Sequence, residues 1–254
     1  MSAELRTVAD AEEVARAAAD ELVGAAARAL AERGRFTVAL SGGATPRRLL
    51  ELLADAGAPF RARLPWDRTH VFFGDERHVP PDHRDSNYRM AHDALLAHVP
   101  VASVHRMRGE EPDAAAAAAS YEAELQRFFG LSADDPPPRL DLVLLGLGAD
   151  GHTASLFPGS AALEERRRWV VAPFVDALQA WRITLTLPVL VRAREALVLV
   201  SGAAKAHALA DVFTSGHGLA PSPAARVRAE TGASLWIVDR DAARRVPEER
   251  RGGT

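Results

Sequence analysis

The chain contains no cysteine. That excludes disulfides, thiolate metal sites and a cysteine nucleophile, and it fits a reducing, cytoplasmic compartment. Lysine is almost as scarce: of 31 Lys and Arg residues, only Lys205 is a lysine. In so arginine-rich a background, one ammonium is either a chance survivor on the surface or a position that needs a compact charge instead of a planar fork. Positive charge is not in excess either. The net charge of −3 offers nothing to nucleic acid or to an acidic membrane surface. No apolar run approaches the ~18 residues of a membrane span, and the acids spread through the N-terminal stretch are foreign to a signal peptide. The pattern G-x-S-x-G is missing, so a serine nucleophile on a strand-to-helix elbow is not expected. There is no internal repeat. What remains is a chain of 254 residues, long enough to bury a sizeable core.

Periodicity divides that chain into alternating helices and strands. Residues 7–33 carry a helical apolar stripe (Val8, Val14, Ala18, Leu22, Val23, Ala26, Leu30) that stops at Gly34. Phe36–Leu40 is a strand, and Ser41-Gly42-Gly43-Ala44-Thr45-Pro46 follows it. Thr45 is a natural N-cap and Pro46 a natural first helical residue, for a helix running to about Ala54. A small-residue loop opening a helix offers free N–H groups and a positive dipole end, so Ser41–Thr45 is a candidate phosphate loop. His70–Phe73 is a second strand, leading to Gly74-Asp75-Glu76-Arg77-His78, either a solvated tip or a substrate clamp built on the arginine fork. Ser86 caps a helix to about Ala97. His78 and His83, with Asp75 and Asp82, follow no standard metal-ligand spacing, so no metal is expected. An alanine-rich helix covers 113–129 and ends at Gly130. A stiff Asp-Asp-Pro-Pro-Pro connection over 134–138 follows it. Arg182–Leu187 alternates with period two, and Ala196–Val200 is a buried strand that leads through Ser201-Gly202-Ala203-Ala204 to Lys205 and a helix to about Phe213. Residues 214–228 read as loop and Ser234–Val238 as a last strand. A short helix begins at Asp239, and the tail frays from about 245. One α/β domain over 1–254 is expected: a three-layer, mostly parallel Rossmann-like sheet with helices on both faces.

The most informative stretch is Leu140–Ser160, LDLVLLGLGADGHTASLFPGS. A buried strand at Leu142–Leu145 feeds a glycine-rich turn presenting Asp150 and His152. Gly146-x-Gly148-x-x-Gly151 imitates a dinucleotide fingerprint. Pro158 arrives too soon for the long helix that motif requires, and no acid stands at 168–174 to meet a ribose, so no nucleotide cofactor is expected. Four strands thus end in polar, glycine-bearing loops: Ser41–Thr45, Gly74–Arg77, Gly146–His152 and Ser201–Lys205. Ligands of open parallel sheets bind at the carboxyl ends of the strands. One crevice can therefore collect an anion loop, an arginine, a lysine and an imidazole. Two cations and a helix N-terminus suit a phosphate, and a neutral imidazole suits proton transfer. The residues alone specify a small phosphorylated metabolite and general-base chemistry.

The segments LSGGATP, FFGDERHVP with DSNYRM, LDLVLLGLGADGHTASLFPGS, RITLT and SGAAKAHAL resemble the 6-phosphogluconolactonase family over most of the chain. The run Asp-Gly-His-Thr-Ala-Ser-Leu-Phe-Pro is the specific part; the SGG loop alone would be weak. The resemblance implies hydrolysis of a phosphosugar lactone, 6-phosphogluconolactone, to 6-phosphogluconate in the pentose phosphate pathway, without metal or cofactor. It puts the catalytic histidine at His152, the arginine at Arg77, the phosphate loop at Ser41, Gly42, Gly43 and Thr45, and the lysine at Lys205. Asp150 either orients the imidazole or caps the turn. Charge developing on the carbonyl oxygen would meet Arg77 or N–H groups of the glycine loop. A monomer or weak homo-oligomer is expected. The similar glucosamine-6-phosphate deaminases continue after Gly-His with Ile-Ala-Phe-Asn-Glu-Pro. This chain has Thr153-Ala154-Ser155-Leu156-Phe157-Pro158 and lacks that acid. A non-catalytic sugar-phosphate-binding domain of a transcription regulator would need a DNA-binding module, for which the N-terminal helix leaves no room.

Overall fold

In the strand Leu142–Gly146, Leu142 and Leu144 pack into one hydrophobic core while Val143 and Leu145 pack into another. That two-residue alternation makes a sheet with a core on each face. The computed structural model describes residues 3–214, 222–230 and 234–250. Its strands are β1 (Glu4–Val8), β2 (Phe36–Leu40), β3 (Thr69–Phe73), β4 (Asp75–Arg77), β5 (Ser103–Val104), β6 (Leu142–Gly146), β7 (Val170–Val171), β8 (Phe174–Val175), β9 (Ala180–Leu185), β10 (Glu195–Val200) and β11 (Ser234–Asp239). Seven of them form a parallel sheet in the order β1-β11-β10-β6-β2-β3-β5. Helices α1 (Ala11–Arg33), α2 (Ala44–Ala54) and α3 (Asn87–Ala91) cover one face. Helices α4 (Ala114–Phe129), α5 (Leu187–Arg192), α6 (Ala206–Thr214), α7 (Pro223–Glu230) and α8 (Arg240–Ala243) contribute to the other core. The expected three-layer, mostly parallel sheet is therefore found. Its order reverses between β2 and β6: the chain builds outward from β2 through β3, and from β6 through β10. A crevice opens at such a point.

Several local expectations are corrected. The N-terminal helix begins at Ala11, capped by the Asp10 side chain on the Glu13 N–H, and the residues before it form edge strand β1, paired with β11. Val8 belongs to that strand, although its spacing also fits the helical stripe. Arg182–Leu187 is not in the main sheet. Strand β9 ends at Leu185 and pairs antiparallel with β4, β7 and β8 in a small second sheet, so Asp75–Arg77 is a strand and not an open tip. Of the loop expected over 214–228, residues 215–221 lie outside the described residues, whereas Pro223 opens α7 with the Ser222 hydroxyl accepting from the Ala225 N–H. In the tail beyond 245, Val246 is buried and a 3-10 turn spans Glu248–Arg250. Residues 251–254 lie outside the described residues. The caps at Gly34, Ser86 and Gly130 stand where expected, and the helix after Ser86 continues as a π-helical turn over His92–Leu96.

The edge of the sheet is closed by a polar chain. His70 Nδ1 lies 2.7 Å from Ser103 Oγ, which lies 2.7 Å from His105 Nε2, whose Nδ1 is 2.7 Å from Glu124 Oε1. This ties β3 to β5 and α4. Burial, then the charges of Arg35 and His105, hold His70 below the ordinary imidazole range. A depressed histidine contributes stability above its unfolded value and loses it as pH falls toward the folded one. Melting temperature should therefore drop below about pH 6.5, and His70→Gln should flatten that part of the profile. An unchanged slope in the variant would assign the acid sensitivity to other groups.

Candidate active site

Strand β2 ends at Leu40, and the chain turns at once into α2. The N-cap is Gly43, at φ +107°, a left-handed conformation that a side chain would strain. Thr45 is thus not the cap. It sits within the first turn, half-buried, and is not among the residues lining the cleft described below. Among the described residues no side chain caps this helix, and its N-cap Gly43 lines the cleft described below, so the positive end of α2 lies at that cleft.

The second wall comes from β4. Glu76, expected at a tip or clamp, is buried and structural. It accepts from the N–H groups of Arg77, Asn87 and Tyr88 and from the Ser86 hydroxyl. Burial pushes its carboxyl above the usual range against those four bonds. This network locks β4 to the start of α3 and leaves Arg77 facing outward, its guanidinium donating to the Asp85 carbonyl. Asn87 and Asp75 complete the wall. The Asn87 amide donates to the Asp75 carbonyl at 2.9 Å, and the Ser155 hydroxyl donates to Asp75 Oδ2 at 2.7 Å. Gly42 packs directly on Asn87: a Cβ there would lie 1.9 Å from Asn87 Oδ1. Asn87 had no role in the sequence reading. The signal available was its place directly after the Ser86 cap, facing the glycine pair.

The third wall is the loop after β6. No helix follows Gly151; the chain instead makes a tight turn, with the Gly148 N–H bonded to the His152 carbonyl at 2.8 Å and Ala154 at φ +48°. His152 Nδ1 lies 2.6 Å from Asp150 Oδ1, which also accepts the His152 backbone N–H at 3.1 Å. Asp150 therefore both orients the ring and caps the turn. Burial alone would raise Asp150, but the His152 N–H and imidazole outweigh it and hold the carboxyl below its ordinary range. An ionised carboxylate only accepts, so Nδ1 carries the hydrogen and Nε2 of the neutral ring is left with its lone pair. The ring stacks on Phe157, with centroids 4.3 Å apart, and its side chain is 32% exposed, open to a ligand.

Lys205 closes the site from β10, in a 3-10 turn whose Gly202 N–H is pinned by Asp239 at 2.8 Å. Ser41, Gly42, Gly43, Arg77, His152 and Lys205 line a single cleft of about 270 Å³, with Asp75, Asn87 and Gly146–Gly148. Asp150 stands behind the imidazole, outside that lining. Among the described residues neither Arg77 nor Lys205 has a carboxylate within ion-pair distance. A larger groove of about 720 Å³ adjoins the site through Asp150 and Phe157, but the one cation lining it, Arg168, is paired with Glu165 at 2.7 Å. The smaller cleft has the unneutralised charge an anion requires. His78 and His83 point elsewhere, to the Glu111 carbonyl and the Asp85 N–H. Among the described residues no three His, Asp or Glu side chains gather to hold a metal.

Known proteins are similar to this chain over most of its length. A 6-phosphogluconolactonase of Synechocystis sp. is 44% identical over 217 residues, covering 85% of this chain and 86% of the relative. One from Mycobacterium tuberculosis is 38% identical, covering 97% of this chain and all of the relative. The solved structure of 6-phosphogluconolactonase from Trypanosoma cruzi superposes with a TM-score of 0.83 at 31% identity, covering 96% of this chain and 97% of that one. Residues 9–236 match the family described as glucosamine-6-phosphate isomerases/6-phosphogluconolactonase, and the chain belongs to that family.

Proposed function

We propose that the protein hydrolyses 6-phospho-D-glucono-1,5-lactone to 6-phosphogluconate, the lactone-opening step of the pentose phosphate pathway, with His152 as general base. The observation that carries this reading is an imidazole fixed by Asp150, with Nε2 free, in the same cleft as an uncapped helix N-terminus and Lys205. The phosphate sits on the Ser41–Gly43 turn at the N-terminus of α2 and on Lys205. Nε2 takes a proton from water as the oxygen attacks C1. Negative charge moves to the carbonyl oxygen, where Arg77 and nearby backbone N–H groups are the available donors. The bond from C1 to the ring oxygen then breaks, and the imidazolium returns its proton to that oxygen. Water is consumed, and the carboxylic acid formed at C1 releases its proton to solvent, which leaves a carboxylate at C1 and a free hydroxyl at C5.

The deaminase reading of the same family lacks its acid, because Ser155–Phe157 stand where the Phe-Asn-Glu segment would be. Freshly prepared lactone and glucosamine 6-phosphate separate the two: acid release above the buffer rate is expected from the first, and no ammonia from the second. Ammonia release, or binding without turnover, would overturn the proposal. Lys205→Ala should weaken binding of the phosphorylated lactone about tenfold to a hundredfold, the loss of one charge-assisted contact worth roughly 1.5–3 kcal/mol. Unchanged affinity for the substrate and for inorganic phosphate would return Lys205 to an ordinary surface residue.

A further inference from the structure

Strands β4 and β9 set Arg77 directly opposite Arg182 in antiparallel register. Opposed residues project from the same face with Cβ atoms about 4.5–5.5 Å apart, and like charges there repel. The next pair identifies the face. Asp75 lies opposite Thr184, and both hold Ser155, whose hydroxyl donates to Asp75 at 2.7 Å and whose N–H donates to Thr184 Oγ1 at 3.2 Å. The intervening pair, Glu76 and Ile183, points the other way and is buried. Arg182 therefore projects on the side of the His152–Ser155 loop, beside Arg77 of the cleft. It is half-buried, and among the described residues its guanidinium has a single hydrogen bond, to the Trp181 carbonyl at 3.1 Å. Elsewhere Arg28, Arg48 and Arg106 each hold a glutamate with two nitrogens. Burial, then the charge of Arg77, push Arg182 below the ordinary guanidinium range.

The same links place the pair relative to a ligand. Ser155, held by Asp75 and Thr184, lies three residues beyond His152 in one loop, and His152 and Arg77 line the same cleft. With the proposed attack on C1 made at His152, the two guanidiniums stand on the side of the reacting carbon.

We propose that Arg182 is the second guanidinium of a clamp with Arg77 that binds the charged oxygens at C1: the oxyanion during hydrolysis and the carboxylate of the product. This rests on the proposed lactone hydrolysis. Two forks converging on one planar carboxylate is a geometry that arginine supplies and lysine does not.

Calorimetric titration with 6-phosphogluconate and with inorganic phosphate tests the clamp without turnover, in the wild type, Arg182→Ala, Arg182→Gln and Arg182→Lys. The neutral variants should bind 6-phosphogluconate about tenfold to a hundredfold more weakly and inorganic phosphate unchanged, with Arg182→Lys in between. Their melting temperatures should be retained or raised, because the cross-strand repulsion is relieved, and turnover should fall while the wild type hydrolyses lactone normally. Equal weakening toward both ligands would overturn the clamp in favour of a phosphate contact. Unchanged product affinity in the folded variants would make Arg182 merely structural. A wild type with no hydrolysis above buffer would refute the enzymatic reading and be seen separately from the binding result.

Discussion

His152→Gln should lose on the order of 10²–10⁴-fold in turnover, the usual range for general-base assistance, while still binding 6-phosphogluconate. Glutamine is close in size and can keep a hydrogen bond to Asp150, but its amide has no basic lone pair. The effect therefore isolates proton transfer from ring packing on Phe157 and from the turn that Asp150 caps. The lactone also opens spontaneously, so the quantity to measure is the excess over buffer. A folded variant with near-normal excess would place the base elsewhere.

Gly148→Ala should have the next largest effect, with the fold left intact. A Cβ at this position would lie 2.0 Å from His152 Nδ1 and 2.5 Å from Asp150 Oδ1. Both obstacles are side-chain ends, which can swing away at little cost to the backbone. What they cannot do is swing away and keep the 2.6 Å bond that fixes the tautomer. Misplacing a catalytic group by about 1 Å can cost ~10²-fold, so turnover should fall by about that factor with an unchanged melting temperature. Full activity in Gly148→Ala would mean that the observed imidazole position is not the working one. A glycine-rich motif that imitates a nucleotide fingerprint is here explained by room for an imidazole and its carboxylate.

Where chemistry is carried by residues close in sequence, the chain was readable. Strand β6, its turn and His152 form one continuous segment, as do β2, Ser41–Gly43 and α2, so strand period, glycine and proline placed both loops. The meeting of those loops was inferred from the rule for parallel sheets, and the cleft lining agrees with it for Arg77, His152, Lys205 and Ser41–Gly43. Thr45 shows the limit of local reasoning. A threonine before a proline is a good cap, but two glycines let the helix start two residues earlier. Long-range pairing left no comparable trace. The opposition of Arg77 and Arg182 across β4 and β9, and the Asp75–Ser155–Thr184 links, join residues far apart in the chain. Edge strand β1 was hidden because Val8 satisfies both a helical and an extended period. Glu76 was misassigned for a related reason: nothing local tells a buried carboxylate with four donors from a solvated one.

The most direct test of the account is the pH profile of enzyme-dependent lactone hydrolysis, with the buffer rate subtracted at each pH, in wild type and His152→Gln. Neutral imidazole can accept a proton from water and imidazolium cannot. The wild-type kcat/KM should therefore fall on the acid side by about one log unit per pH unit, and the residual activity of His152→Gln should lack that limb. A wild-type profile with no acid limb, or the same limb in the variant, would contradict the assignment of His152 as the base.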